Sequence, residues 1–444
     1  MTFLRSGFLT CLGGLACLGA SPALRGQSWD PGARAAALVS SASGGQLQLN
    51  IEWRLRYESR TGNSFGAAPD ITTALMRTRV SLTWLAAPWL KFSGMMQDSR
   101  ASGYGPNPPT AVHDSADLQE AYMEAARDSG PGLTIGRRML DYGEARLLGS
   151  PQWSNVSRTY DQARAWYRFP KARIEALLVS PVTVEPGFNR PELGQRVWGT
   201  YDSFPDFVGT HLLEAYALRH DQNRPGGFTG GDRAEGTDKL ATNTFGFRLA
   251  GPLAKAARYS LEAAGQNGKI GPAAQRAMAW FASAARHWTP IGKPLDVSVE
   301  YKYASGTSNP ADASRSSTFD QMFPSNHDKF GREDLFGWRN IHNLRSLSSF
   351  GISKSFAVSF MYDDFWLASL RDALYNSSGK AIARSATGSA GRHVGRETDV
   401  FATYKWQSLT FGAGYGRLFA GDFLRRATAG VAPDYIYVFQ TYTR

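Results

Sequence analysis

Cysteine is nearly absent from this 444-residue chain: there are 2, Cys11 and Cys17, both close to the N-terminus. Everything beyond them is therefore without a disulfide, a cysteine metal site or a thiol nucleophile. No run of roughly 18 apolar residues follows the N-terminal stretch, which excludes transmembrane helices from the rest of the chain. Histidine is sparse as well, with 7 residues at positions 113, 211, 220, 287, 327, 342 and 393. None of these falls in an H-E-x-x-H or comparable spacing, so neither a metal nor any other cofactor is expected.

The first 23 residues read as an export leader. Arg5 supplies a basic start, Phe8 to Ala20 an apolar stretch, and Ser21 and Ala23 the small residues suited to cleavage. Both cysteines would leave with it. Residues 24–45 are rich in glycine, serine and alanine and are expected to form a flexible tail, leaving 46–444 as one domain. The formal charge of the whole chain is +11. In an exported protein a basic balance points to anionic substrates or lipid headgroups and away from nucleic acid.

What the chain has in abundance is glycine and aromatics, 46 Gly, 25 Phe, 18 Tyr and 12 Trp, arranged with a period of two. Leu47, Leu49, Ile51, Trp53, Leu55 and Tyr57 share one parity; Gln48, Asn50, Glu52, Arg54, Arg56 and Glu58 share the other. The pattern returns over Met76 to Ala86 and over Leu295 to Ala304. A wall between hydrocarbon and a watery lumen requires this alternation, and it must close on itself so that no backbone amide faces lipid unpaired.

About eighteen such segments can be placed, the first near 47–58 and the last near 433–443. Short connections near 87–88, 128–131, 169–171, 204–206, 251–252, 353–354 and 406–407 intersperse with long ones at 59–73, 101–116, 139–159, 182–194, 220–242, 305–340, 368–394 and 419–432. The expected fold is all-β: a single transmembrane antiparallel β-barrel in a bacterial outer membrane, with short periplasmic turns and long extracellular loops.

The same parities send charge into the lumen. Arg54, Arg56, Arg77, Arg79, Lys91, Arg164, Arg173, Arg248, Arg258 and Lys302 are expected inside, with the acids Glu52, Glu120, Glu175, Glu262, Glu300, Glu397 and Asp399 among them. Guanidinium groups in a narrow pore lower the energy of a carboxylate, which their fork can bind through two hydrogen bonds. Any one of these residues could instead pair across strands and simply fill a polar interior. As a set they favour selection of anions.

Several runs resemble the alginate-export family. They are Gln97-Asp98-Ser99-Arg100, Leu118-Gln119-Glu120-Ala121-Tyr122, Gly136-Arg137-Arg138 and Tyr142 to Gly149, followed by Trp153, Asn155 and Arg158. Farther on come Thr318 to Gly331, Gly337-Trp338-Arg339-Asn340, Gly395 to Asp399 and Gly421-Asp422-Phe423-Leu424. The resemblance spans about residues 47 to 443. It implies an eighteen-stranded barrel with a basic constriction that chooses anionic polysaccharide, and it places Glu120 and Arg137 in that constriction. It would also place an arginine beside Glu120, where this chain has Gln119.

The resulting expectation is a monomeric channel with no catalytic residues, passing an anionic polysaccharide or oligosaccharide of the alginate-like, polyuronate kind. Outer-membrane lipid surrounds it, and a periplasmic export scaffold is a candidate partner. Uptake of small organic anions is the main alternative; an outer-face hydrolase and an adhesin are further ones. The G-x-S-x-G match at Gly62 to Gly66 lies in a loop, without the strand, turn and helix that a nucleophile elbow requires. Ser325, Asn326 and His327 are consecutive in a loop, where side chains diverge. Gly412, Gly414 and Gly416 alternate with larger residues along a strand and leave room in the lumen.

Overall fold

The computed structural model describes residues 30–185, 187–192, 194–223 and 239–444. The expected leader and the start of the tail lie outside these residues, as does most of the 220–242 connection. Eighteen long strands form the wall. They are β1 Leu47–Thr61, β2 Ile71–Ala87, β3 Leu90–Ser102, β4 Asp114–Ala126, β5 Gly130–Arg138 and β6 Tyr160–Phe169. Next come β7 Ala172–Thr183, β8 Gln195–Val208, β9 His211–Gln222, β10 Leu240–Ala254, β11 Ala257–Ile270 and β12 Ala273–Trp288. The last six are β13 Leu295–Ala304, β14 Ile341–Gly351, β15 Phe356–Leu367, β16 His393–Trp406, β17 Leu409–Ala420 and β18 Asp434–Thr443.

Each strand pairs antiparallel with the next, and β1 returns to β18 in a register running from Glu52↔Thr443 to Thr61↔Asp434. Closure satisfies both edges that an open sheet would leave bare. Two short strands, Arg190–Pro191 and Arg315–Ser316, add to β7 and β12 from the loops.

The burial pattern is that of a soluble protein turned inside out. On β1 and β2 the apolar Leu55, Tyr57, Val80 and Leu82 are exposed, while Arg54, Arg56, Arg77 and Arg79 between them are buried. Lipid is the solvent for the first set and the packed lumen for the second.

Connections at the end bearing both termini are tight, such as Pro170-Lys171 between β6 and β7 and Gln407-Ser408 between β16 and β17. Two turns fall later than the sequence suggests. β8 runs on through Pro205 to Val208, and β10 through Pro252 to Ala254, with a register shift beside Pro252. A proline without an N–H is accommodated at such a bulge and need not end the strand. At the other end the connections are long, except that β11 and β12 join through Gly271-Pro272 alone.

The tail also departs from expectation, because it carries a helix, α1, Pro31–Ala42. Alanine-rich sequence favours helix, Pro31 suits its first turn, and the Asp30 carboxylate caps it by accepting the Ala33 N–H. A second, short helix, α2 Asp422–Ala427, follows β17.

The long loops 139–159 and 305–340 do not stand out into solvent. They fold into the barrel, where Leu140, Leu147, Leu148, Phe319, Phe330 and Trp338 join lumen-facing side chains in one buried cluster. The two loops touch through a bridge between Leu148 and Phe323.

Candidate functional site

The arginines of β1 and β2 are where charge is densest. Arg54 stands opposite Arg77, and Glu52 opposite Arg79. Like charges face to face are unfavourable unless other groups answer them. Here the answer comes from the inward loop 139–159. Arg54 donates to the carbonyls of Gln152 at 2.9 Å, Ser154 at 3.0 Å and Trp153 at 3.1 Å. Arg77 reaches the carbonyls of Ser154 and Gln152 and forms an ion pair with Glu52 at 2.6 Å. Arg56 pairs with Glu58 at 2.6 Å and lies 4.1 Å over the Trp153 ring. Arg79 binds the side-chain oxygens of Gln97 and Gln152.

From β4 the loop is held by two neighbours. Glu120 accepts the Met139 N–H at 2.8 Å, and the Gln119 amide donates to the Ser157 carbonyl at 2.7 Å. Adjacent residues of a strand normally point to opposite faces; a register shift between Met95 and Met96 on β3 lets both be buried here. Gln119 thus takes a loop-holding position beside Glu120.

Most of the other expected lumen charges are present and paired. Lys91 and Arg138 share Glu124, each at 2.7 Å. Arg164 and Arg173 share Glu175, which also accepts the Tyr142 hydroxyl. Arg248 binds Glu214 at 2.7 Å, and Ser260 donates to Glu144 at 2.6 Å. Lys302 is fully buried between Glu300 and Asn343, both at 2.8 Å. Glu397 receives the backbone N–H groups of Arg332 at 2.6 Å and Glu333 at 3.0 Å, with Asp399 buried two residues along on the same face. Glu397 therefore does for loop 305–340 what Glu120 does for loop 139–159. The small residues of β17 do make room, since a Cβ on Gly412 or Gly414 would run into the ring of Phe439 or Tyr437.

Two members of the set lie elsewhere. Arg137 shares its face with Ile135, which is exposed on the outer wall, and it binds Asp161 at 2.8 Å and the Asn189 carbonyl at the rim. It is outside the lumen. Arg258 keeps the parity of the buried Ser260 and Glu262, but it sits exposed at the mouth near the termini.

Sequence reasoning missed what the loops bring back. His220 of β9 meets Asp320 at 2.7 Å, and His327 meets Asp334 at 2.7 Å while stacking on Trp153 at 4.5 Å between centroids. Burial alone would raise the Asp320 pKa, but His220 and Arg339 hold it below the ordinary carboxylate value. Glu333 goes the other way, pushed well up by burial and by Glu397. Between the loops and β18 lies an open cavity of about 480 Å³, lined by Arg54, Arg77, Trp153, His327, Lys329 and Arg332. The aromatic and basic residues of the two long runs were the available signal, but nothing in them shows which way a loop folds.

The cavity offers basic side chains, an aromatic face and the carboxylates of Asp141 and Asp328, and among the described residues His327 bonds Asp334 and not Ser325. Comparison with known proteins agrees with a channel. No curated protein sequence matches this chain. Among solved structures, Acinetobacter baumannii OccAB2 aligns with a TM-score of 0.58 at 12% identity, covering 90% of this chain and 98% of that one. Pseudomonas aeruginosa OpdK, solved with vanillate, gives 0.58 at 9% identity over 90% and 98%. Pseudomonas aeruginosa OccK10 gives 0.57 at 11% over 90% and 99%. At these identities the likeness is one of fold, that of outer-membrane porins. A family model described as alginate export matches residues 45–438. The chain therefore belongs to the alginate export family and is a non-enzymatic channel of the bacterial outer membrane.

Proposed function

We propose that the channel passes an anionic polysaccharide or oligosaccharide of the alginate-like, polyuronate kind. The observation that carries this reading is the cavity between the inward loops, which Arg54, Arg77, Lys329 and Arg332 line together with Trp153, and where Asp141 and Asp328 temper the positive charge. A uronate residue presents a carboxylate beside a flat, partly apolar sugar face. Guanidinium forks suit the first and an indole the second. Because the loop carbonyls already occupy much of the arginines' donor capacity, attraction is moderated, as conduction requires of a site that must also let go. Arg54, Arg56, Arg77, Arg79, Lys302, Glu397 and Asp399 act in this reading mainly by setting the shape and potential around the cavity.

Single-channel recording tests it. A reversal potential displaced toward the anion equilibrium potential, and current block by uronate oligomers, are expected; a cation-selective or unselective pore would overturn it. Uptake of a small organic anion is the second reading. It draws on the parallel stack of Trp153 and His327, which could receive an aromatic carboxylate, and on the fold shared with OpdK solved with vanillate. Conduction of monomeric carboxylates without block by uronate oligomers would favour it.

A further inference from the structure

The outer wall carries a groove over β10, β11 and β12. Phe245, Gly265 and Met278 stand side by side there in one row, and Phe247, Ala263 and Trp280 in the row nearer the termini. Phe245, Phe247, Met278 and Trp280 are exposed, so β11 contributes small residues between two walls of large ones. A Cβ on Gly265 would meet nothing within 4 Å, and the result is an open groove of about 830 Å³. With strands about 4.8 Å apart, its walls lie roughly 10 Å from each other, centre to centre. That leaves room for a hydrocarbon chain but not for a helix, whose diameter with side chains is about 10–12 Å.

Toward the loop end the groove changes from apolar to basic. The next row is Asn243, Asn267 and Arg276, and the row beyond it is Ala241, Lys269, Ala274 and Arg315. Arg315 belongs to the short strand that runs parallel to β12; it shares the exposed face of Ala274, while Ser316 and Gln275 beside them are buried. Lys269, Arg276 and Arg315 are all exposed, and none enters an ion pair among the described residues.

The acids nearby are occupied. Asp221, two strands from Lys269, accepts from Arg219 and Trp198, each at 2.9 Å, and Asp312 accepts the N–H and the hydroxyl of Ser314. Elsewhere on the outer wall cations have partners in place, as Arg137 has in Asp161 and Arg417 in Asp434.

Tight turns at the terminus end make the loop end extracellular. The groove therefore opens into the outer leaflet, apolar toward the midplane and cationic toward the surface. Its occupant must match that order, with an acyl chain below and a negative head above. A soluble anion would leave the apolar part empty. A second copy of this chain across a two-fold axis would set the same three cations against one another. Phosphate suits the head position, because guanidinium and ammonium groups give it charge-assisted hydrogen bonds.

We propose that this groove binds a phosphate-bearing lipid of the outer leaflet. Lys269, Arg276 and Arg315 hold its head, and one acyl chain lies over Gly265 and Ala263 between Phe245 and Met278. The site is on the outside of the wall and does not depend on what passes through the lumen. It also reaches the start of loop 305–340. Ser305 lines the groove, its hydroxyl accepting the Met278 N–H at 2.9 Å and donating to the Ser317 carbonyl at 2.7 Å. A head that joins Arg315 to Arg276 ties the outer limb of that loop to β12.

The test uses the full chain in an uncharged detergent, titrated with bis-phosphorylated lipid A, the bound copies being counted by native mass spectrometry. One copy retained after phosphatidylcholine has been stripped is expected, and inorganic phosphate should not displace it. A Lys269→Gln/Arg276→Gln/Arg315→Gln variant should bind at least about 10-fold more weakly. Gly265→Leu keeps the charges but fills the groove where a Cβ has open space, and it should weaken binding as well. Heat-modifiable gel mobility checks that both variants fold. Undiminished retention by either variant overturns the proposal. Displacement by inorganic phosphate would reduce the site to one for free anions, and a doubled mass in place of bound lipid would assign the face to a second copy of the chain; each of these also overturns it.

Discussion

Arg54 and Arg77 face each other across β1 and β2, and both send guanidinium groups to the carbonyls of Gln152 and Ser154. Two like charges that would repel across an empty lumen are held together by a returning strand of backbone. The strap runs both ways, since the arginines also fix the loop. Replacing both with Ala removes several hydrogen bonds from charged donors, each worth about 1.5–3 kcal/mol. The loop should come free while the barrel, whose wall bonds are untouched, stays folded. Larger and noisier single-channel current, with protease cleavage inside 139–159, is the expected outcome. Unaltered current and protection would mean that Glu120 and Gln119 suffice to hold the loop.

Loop 305–340 has a corresponding anchor in Glu397, and Gly331 is the point of closest approach. A Cβ there would lie 2.2 Å from the Glu397 carboxylate, on a residue with φ of 84°. Gly331→Ala therefore meets two obstacles, a clash and a left-handed backbone, and should unseat the loop as Glu397→Ala does. Comparable rises in conductance for the two variants, with no further rise on combining them, would be the signature of one shared anchor. Additive effects would show that the two residues act separately.

How much of this could be read from sequence depends on what each residue answers to. The wall was legible because every strand separates two solvents, and that constraint writes itself at a spacing of two, as in Leu55 and Arg56. Parity also placed Arg54, Arg77, Lys302 and Glu397 on the inner side. It could not say what Arg54, Arg77 and Glu397 would touch, because they bind backbone carbonyls and amides of loops 64 to 100 residues away, and a carbonyl leaves no trace in the sequence. Arg137 shows the reverse. Family resemblance put it in the lumen, although the alternation of Leu133 and Ile135 already set it on the outer wall. Helix α1 escaped because its small residues look like a linker until Asp30 is seen as a cap.

Glu333 gives loop 305–340 a dependence on pH. Its carboxyl is pushed above the ordinary 4.5 by burial and by the neighbouring Glu397. A carboxyl with a raised pKa in the seated loop favours that seat when protonated, so its contribution is full below about pH 4.5 and is lost as pH climbs through the raised value. Protection factors across 330–337, which remove the intrinsic pH dependence of amide exchange, should consequently rise on acidification from pH 7.5, and Glu333→Gln should abolish that rise. Asp320 would act in a different window: its pKa is held below the ordinary 3.8 by His220 and Arg339, so its contribution persists down to about pH 3.8 and is lost only as pH falls through the lowered value.

Asp30 links the helix at the periplasmic end to the seam where the barrel closes. Its carboxylate caps α1 through the Ala33 N–H, and it also accepts from the hydroxyls of Ser408 and Tyr442 and pairs with Arg444 at 2.7 Å. Burial pushes its pKa up, yet these hydrogen bonds together bring it below the usual range, so the attachment is present above about pH 3.8 and weakens as pH falls through the lowered value. Asp30→Ala removes the cap, at a cost of about 1 kcal/mol to the helix, together with its tether to β18. Asp30→Asn retains capping ability but loses the ion pair with Arg444. If the tether is what orders α1, Asn should free the helix nearly as fully as Ala, detected as faster amide exchange over 31–42 in both variants. If capping dominates, only Ala will do so, and the helix would hold its place against the barrel without the charge.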